Sequence, residues 1–564
     1  MHSSATELRP ALADYLDAMT AFFDADLGLP VHTVQGPSYH SRMPVGARVH
    51  DTRYSLDYCL GLLEEGSPES LACARRILHL VLPLQDLDPV SATYGVWPYF
   101  VEEPLGRMSP PDQNWADFCG VRLAHLLARF PERISAFDRK AATAALHAAA
   151  RAIFRRNVRA AYTNICFKGA VVCAAAAELT GDAFLADYAL ARLESFLAHT
   201  RANGGLIEYT SPTYTLIVLV ETERALHILR NEAVRAVVEQ VRVLCWDDIV
   251  VALHPATGQL CGPISRTYAD WLTPPLAAEI RARLDVPLFV PAATAENSAP
   301  PAMPLYPVPA LPCPAELRES LLARAPEHTS RRRYVYSPTE PKRERTATRW
   351  FGPDACLGSC NYENLWTQRR PILAYWRAGE SVAMLKAGIR HDDDRDFASS
   401  AFRAAQEGRA VLAVASLVTD RGDFHDCLDR PADGVFHIAN LHVAIELAGP
   451  GATISEPAPG VFALACAGWQ GVVTPHAAVF DTHAIRWVAS QYTDKAVLRA
   501  VVDDGAALDL NPAAVGEFAI AFSLTLEPTG SASAVPCTTV CEAGRILCHA
   551  GTLTVEAPLK PEAL

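Results

Sequence analysis

No stretch of this chain approaches the ~20 consecutive apolar residues that spanning a bilayer requires, so no membrane partner is expected. Positive charge is also in deficit. With a formal net charge of -13, the chain has no basic face for displacing the counterions of a polyphosphate, and no nucleic acid is expected as a partner. An acidic ligand would therefore need a site that is locally positive against the global field. A Gly-rich phosphate loop, a Walker sequence and strand-helix-strand alternation are all missing, which disfavours a nucleotide enzyme. The opening MHSSATELRPALADYLDAM lacks a basic segment followed by an apolar run and a small-residue cleavage site. A cytoplasmic protein is expected.

Paired cysteines are missing too. The 15 cysteines are odd in number and scattered singly, and Cys119, Cys166 and Cys173 sit in apolar helical stretches, as buried free thiols do. Cys356 with Cys360, and Cys537 with Cys541, each offer two metal ligands. Neither has a second Cys/His pair at zinc spacing, so no metal and no cofactor is expected.

What is present suits two large domains, since 564 residues with 50% hydrophobic and 20% charged side chains exceed one core and supply enough apolar material for two. Apolar residues at three- and four-residue spacing predict helices over 6–23, 55–65, 69–82, 115–129, 136–155, 165–180, 183–199, 214–230, 232–252 and 275–284. Long connectors at 28–51, 86–114, 201–213 and 253–272 gather Gly, Pro, Asn, Tyr and His. Short turns at one end and long polar-aromatic loops at the other suggest a ring of helical hairpins whose functional face is the long-loop end.

Residues 286–314 carry nine prolines, including Pro300, Pro301, Pro304, Pro307, Pro309, Pro312 and Pro314, and read as a semi-rigid connector. From about 330 the pattern turns to short β-branched and aromatic runs broken by Gly, Asp and Pro: 333–336, 372–376, 381–386, 410–417, 441–447, 471–473, 496–502 and 518–526. These predict an antiparallel sandwich. The expected fold is multidomain α+β: a helical-hairpin domain over 1–285, a Pro-rich connector over 286–329 and an antiparallel β-sandwich over 330–564.

The most unusual segment is Asn203-Gly204-Gly205-Leu206-Ile207-Glu208-Tyr209-Thr210-Ser211-Pro212-Thr213-Tyr214, which runs into an apolar helix. Ser211 suits an N-cap and Pro212 the first helical position. Glu208, Tyr209 and Tyr214 are not needed for capping. They are good material for sugar stacking, hydrogen bonding and proton transfer, with plain packing as the alternative. The segment from His254 to Tyr268 fixes an irregular backbone with its glycines and prolines. Arg266 and Tyr268 lie two apart, on one side of an extended stretch. An Arg that forks onto a carboxylate beside a phenol suits an acidic sugar, and the alternative is an Arg tying the loop to a helix end.

Asn164, in Tyr162-Thr163-Asn164-Ile165, stands where a helix begins and is equally readable as an N-cap. Asn114-Trp115-Ala116-Asp117 occupies the same place on an earlier helix, with Trp115 a sugar platform and Asp117 an acid or acceptor. Asp117 is also readable as a first-turn acid matched to the helix dipole. Tyr39-His40-Ser41-Arg42 and His50-Asp51-Thr52-Arg53-Tyr54 pack two His, two Arg and two Tyr into one loop. His391, opening His391-Asp392-Asp393-Asp394-Arg395-Asp396, is a base or charge partner from the β domain, or part of a solvated turn. Phe424-His425-Asp426 is a weaker candidate of the same kind.

A helical-hairpin domain followed by an antiparallel β domain, with Asn, Tyr, His and Arg at loop-helix junctions, resembles the polysaccharide lyases with an (α/α) toroid and a β-sandwich, the heparinase II/III-like and alginate-lyase-like groups among them. The resemblance implies β-elimination at a uronic acid, giving a 4,5-unsaturated uronate from an acidic oligosaccharide or polysaccharide. It assigns the catalytic set to Tyr214, Tyr268, Asn164, Arg266, His40 and His391, with Tyr209, Glu208, Asn114, Trp115, Asp117 and Arg53 binding substrate. Asn164 and Arg266 would neutralise the uronate carboxylate as negative charge develops. Tyr214, or else Tyr268, would take the C5 proton, its pKa lowered by an adjacent Arg or protonated His. In the cytoplasm the substrate would be an imported oligosaccharide, and an oligomer is possible. The alternatives are a glycoside hydrolase using Glu208 and Asp117 and a non-catalytic carbohydrate-binding protein.

Overall fold

A computed structural model describes residues 4–36, 38–294, 297, 303–335, 344–365, 368–392, 395–502, 507–530 and 532–564. Pro300, Pro301, Tyr336, Asp393 and Asp394, which figure in the sequence reading, lie outside the described residues. The chain forms two compact units, one of 1–201, 217–245 and 300–312, the other of 202–216, 246–299 and 313–564.

The helices are Ser4–Met19 (α1), Thr52–Glu65 (α2), Pro68–Val81 (α3), Trp115–Arg129 (α4), Ala136–Arg156 (α5), Thr163–Thr180 (α6), Ala183–Asn203 (α7), Tyr214–Ile228 (α8), Glu232–Ala252 (α9), Pro274–Leu284 (α10) and Ala315–Leu322 (α11). Their ends follow local chemistry. The side chains of Asp51, Ser67 and Ser135 accept from backbone N–H groups at the starts of α2, α3 and α5, and Pro68 occupies the first turn of α3. In the first unit α2 packs on α3 and α4, α4 on α5 and α6, and α5 on α3 and α6. Thus α2, α4 and α6 form one layer and α3 and α5 the other, the layering of an (α/α) toroid. The first layer is the more enclosed, with every residue of α6 from Thr163 to Ala177 buried. The short helix α11, absent from the expected elements, follows Pro314, the last proline of the connector. Among the described residues no helix is long and apolar enough to cross a membrane.

The second unit contains two large antiparallel sheets. One has seven strands in the order Tyr362–Leu365, Ser400–Glu407, Ala410–Leu417, Phe518–Pro528, Trp469–Phe480, Val461–Cys466 and Thr453–Ala458. The other runs Ile485–Tyr492, Lys495–Val502, Leu441–Ala448, Ser381–His391, Ile372–Ala378, Ala355–Cys360, Glu344–Phe351 and His328–Val335, with Arg395–Asp396 beside Ser381–His391. Alternate residues such as Leu385, Ile389, Ile445 and Leu498 of the second sheet share one core with Phe402, Val411, Leu464 and Phe522 of the first. The two sheets therefore form a sandwich. Each such side chain contributes roughly 1.5–3 kcal/mol by leaving water.

The opposite face of the second sheet receives the 253–272 segment. Cys261, Ile264 and Trp271 pack on Leu373, Tyr375 and Met384, and the backbone of Ile264 exchanges hydrogen bonds with that of Arg370. The approach is close: a Cβ at Gly358 would lie 1.7 Å from the Gly262 carbonyl oxygen. Glycine at 358 is thus required for the loop that carries Arg266 to lie on the sheet.

Candidate functional site

In the second unit, three stretches converge around Tyr214. Gly204 turns the chain at φ +87°, and a Cβ there would lie 2.4 Å from the Arg333 carbonyl oxygen, so the approach to the segment is reserved for glycine. The Ser211 hydroxyl accepts from the N–H groups of Thr213 and Tyr214 and donates to the Arg266 carbonyl at 2.5 Å. It ties the start of α8 to the 253–272 segment. Pro212 precedes the helix rather than opening it, since α8 starts at Tyr214. Thr267 donates its N–H to the Gln368 carbonyl at 2.6 Å, which brings in the third stretch.

The side chains make a small polar cluster. Arg266 places its guanidinium carbon 4.4 Å from the Tyr214 ring centroid, donates from Nε to the Gln368 amide oxygen at 2.6 Å, and donates from a terminal nitrogen to Glu208 at 2.7 Å. The Tyr214 hydroxyl donates to the same Gln368 oxygen at 3.4 Å. Tyr268 lies beside Tyr214, ring centroids 5.7 Å apart. Tyr214 and Glu208 are 4% exposed and Tyr268 is 70% exposed. The cluster therefore runs from buried to open.

Its electrostatics differ from the lowered pKa expected for a base. Burial raises the Tyr214 phenol far above its ordinary value and outweighs the downward pull of Arg266, so the phenol is held protonated at neutral pH.

Tyr209 is placed differently from the sugar-binding role expected for it. Its ring stacks on Tyr334 at 3.9 Å, it is 1% exposed, and its hydroxyl donates to Glu363 at 3.0 Å. Burial raises its pKa well above the usual phenol value. This ring offers no face to a ligand.

His391, expected as a base, is 1% exposed and lies in ion pairs with Asp423 and, at 3.1 Å, Asp392. Burial pulls its pKa down, but the two carboxylates win and raise it. The two carboxylates thus favour the charged imidazole, the form that has no lone pair for a proton. Near Phe424, ligand atoms of His425, Asp426 and Cys427 lie within 4.8 Å of one another. The His425 Nδ1 already accepts the N–H groups of Cys427 and Leu428 at 3.1 and 3.3 Å, which takes up that donor atom.

The remaining candidates belong to the first unit. Asn114 does not cap α4 with its side chain. It donates to the Tyr162 hydroxyl at 3.1 Å and accepts from Arg156 at 2.6 Å. Asn164 is not an N-cap either, because α6 begins at Thr163 after Tyr162. It is 5% exposed, and its Oδ1 is buried without a hydrogen-bond partner among the described residues. Trp115 is no open platform: it is 6% exposed, donates to the Thr52 hydroxyl at 2.8 Å and lies 3.8 Å from the Tyr99 ring. Arg53 lies over Tyr54, Trp115 and Phe118 at 4.6, 5.2 and 5.3 Å. The His40 Nδ1 bonds the Pro110 carbonyl at 2.8 Å. Asp117 is buried, and that burial pushes its carboxyl up to about 7 against the pull of Arg156, Arg192 and Lys168. Nearby, Lys168 is lowered to about 8 by burial, although Glu221, at 3.4 Å, pulls the other way.

Sequence reading missed Gln368 and Glu363. Gln368 sits in a connection between two strands with no periodicity around it. Glu363 lies between Tyr362 and Asn364 on a short strand, so its burial beneath Tyr209, Arg345 and Arg369 has no local signal.

Residues 16–276 match the model of a family described as a domain of unknown function, DUF8769. No curated protein matches the sequence. Among solved structures the chain is similar to a heparinase III, at 8% identity over 98% of this chain and 90% of that one, with a TM-score of 0.46. It is also similar to a mutant chondroitin AC lyase from Streptomyces coelicolor A3, at 13% identity over 98% and 84% of the two chains, with a TM-score of 0.42.

Proposed function

We propose that this protein is a lyase that cleaves an acidic oligosaccharide or polysaccharide at a uronic acid by β-elimination. The observation that carries the proposal is the Tyr214–Arg266 pair: a guanidinium 4.4 Å from a phenol ring, both hydrogen-bonded to one amide oxygen of Gln368. Elimination needs a base for the C5 proton and two further things that this pair supplies. The uronate carboxylate must be neutralised as the C5 proton leaves and an enolate-like charge builds, which is the role proposed for Arg266. The departing glycosidic oxygen must be protonated, and a phenol held protonated by burial is matched to that step. Glu208 then acts through Arg266, holding the fork in place from 2.7 Å. Tyr268, the exposed phenol beside the pair, is proposed to accept the C5 proton of the sugar.

One observation favours the hydrolase reading: burial brings the Asp117 carboxyl to about 7, a range in which a carboxylic acid can donate a proton. Against it, Glu208 is already paired with Arg266, and Asp117 is 2% exposed.

The deciding experiment incubates the purified protein with uronate-containing oligosaccharides and follows the ultraviolet absorbance of the conjugated product. Absorbance that is lost in Tyr214→Phe and Arg266→Ala supports elimination at this pair. Cleavage into smaller sugars without absorbance would replace it with hydrolysis.

A further inference from the structure

The β-rich unit holds a polar cavity, of about 560 Å³, that shares no lining residue with the Tyr214 cluster. Arg345, Arg369, Arg403, Arg421 and Arg545 line it together with Tyr362. The Arg403 and Arg345 guanidiniums lie 5.2 and 5.8 Å from the Tyr362 ring centroid, so the phenol ring spaces two cations on one wall.

Glu344, Asp426, Glu556 and Glu562 also line the cavity, and Arg545 is closely paired with Glu556. Arg345 and Arg369 both donate to the single buried carboxylate of Glu363. Arg403 reaches Glu562 at 3.4 Å, and Glu562 itself is half exposed. Arg421 approaches Asp426 and Asp420 at 3.5 and 3.9 Å, ion-pair distances too long for a good charge-assisted hydrogen bond. Most telling, the Nε atoms of Arg369 and Arg421 are both buried without a hydrogen-bond partner among the described residues. A buried donor left without an acceptor is unfavourable, more so when it is charged. Two of them on the wall of one cavity are a recognition surface waiting for an acceptor.

We propose that this cavity binds an oxyanion, whether carboxylate, sulfate or phosphate, carried on a small ligand, with Arg369, Arg403 and Arg421 as its donors. The proposal stands apart from the lyase reading. It requires no turnover, and Tyr214→Phe is expected to leave it untouched.

The test is calorimetric titration of the full-length protein with sodium glucuronate, sodium sulfate and sodium phosphate, with glucose as the neutral control. Saturable heat with at least one anion, none with glucose, and about tenfold weaker binding in Arg421→Ala and in Arg403→Ala is the expected result. Which of the three anions binds identifies the ligand class. Arg421→Lys, which keeps the charge but not Nε, is expected to weaken binding as well, and the melting temperature of each variant shows that its fold is retained. No binding of any anion, or binding that is unchanged in well-folded Arg421→Ala and Arg403→Ala, would overturn the assignment.

Discussion

Arg266 stacks its guanidinium against the ring of Tyr214, 4.4 Å from the centroid, while its Nε and the Tyr214 hydroxyl share the Gln368 amide oxygen. Gln368 thereby orients both groups without carrying charge. Gln368→Ala is expected to lower kcat by more than it raises KM, because it loosens the geometry of the pair without removing either chemical group. Steady-state kinetics on an accepted oligosaccharide check this, and Gln368→Asn should recover less than half of the loss, since its amide is one methylene short.

Glu363 is fully buried and accepts from Tyr209 at 3.0 Å, Arg345 at 3.1 Å and Arg369. Glu363→Ala leaves two guanidiniums without their carboxylate and is expected to destabilise the protein by about 3–5 kcal/mol. Tyr209→Phe removes one hydrogen bond from a carboxylate that keeps two others and should cost about 1 kcal/mol. Urea unfolding of both variants separates the two magnitudes.

Asp117 has a carboxyl raised by burial from 3.8 to about 7. Because the folded value lies above the unfolded one, the stability linked to this group is fully present below pH 3.8 and is lost as pH rises to about 7. At pH 8 the buried charge is unfavourable by up to about 4 kcal/mol, since holding a carboxyl tenfold less acidic corresponds to roughly 1.4 kcal/mol. Asp117→Asn is isosteric, and the Asp117 Oδ1 has no hydrogen-bond partner to lose among the described residues. The substitution is expected to raise the melting temperature at pH 8 and to change it little at pH 4.

His391 shows the opposite dependence on its neighbours, since Asp423 and Asp392 raise its pKa despite burial. Its stabilising contribution is complete below the ordinary value of 6.5 and fades as pH rises through the folded value. His391→Gln should therefore lower the melting temperature at pH 6 and have a smaller effect at pH 9, as thermal unfolding at the two values would show.

Much of the fold was legible because helices announce themselves locally. The spacing of apolar residues predicts helices at 115–129 and 232–252, and α4 and α9 begin and end there. Strand 410–417 is equally clear, an apolar run broken only by Ser416 and buried along nearly its whole length. Glu344–Phe351 and Ser400–Glu407 were not, because Arg345, Arg349 and Gln406 are charged or polar side chains made compatible with burial only by partners far along the chain: Glu363, Cys261 with Thr210, and Ser359 with Leu357. The same limit applies to the candidate site. Tyr214, Arg266, Glu208 and Tyr268 are conspicuous by composition and do meet, whereas Gln368, about 100 residues further on, becomes visible only when the 253–272 segment lies on the sheet. Asn114 and Asn164 look like helix caps in sequence because Asn is a common cap. The structure puts the side chain of the first on Tyr162 and Arg156 and the second inside α6.

The most direct measurement is the pH dependence of product absorbance on a uronate oligosaccharide, taken from pH 6 to 10 for the wild type, Tyr214→Phe and Arg266→Ala. With Tyr214 acting as a buried, protonated donor and Tyr268 as the base, any rise of the wild-type rate with pH should persist in Tyr214→Phe at a lower level. Both variants should lose about 100-fold or more in kcat/KM. Full activity in folded Tyr214→Phe, or a wild-type rise with pH that this substitution removes, would contradict the donor role.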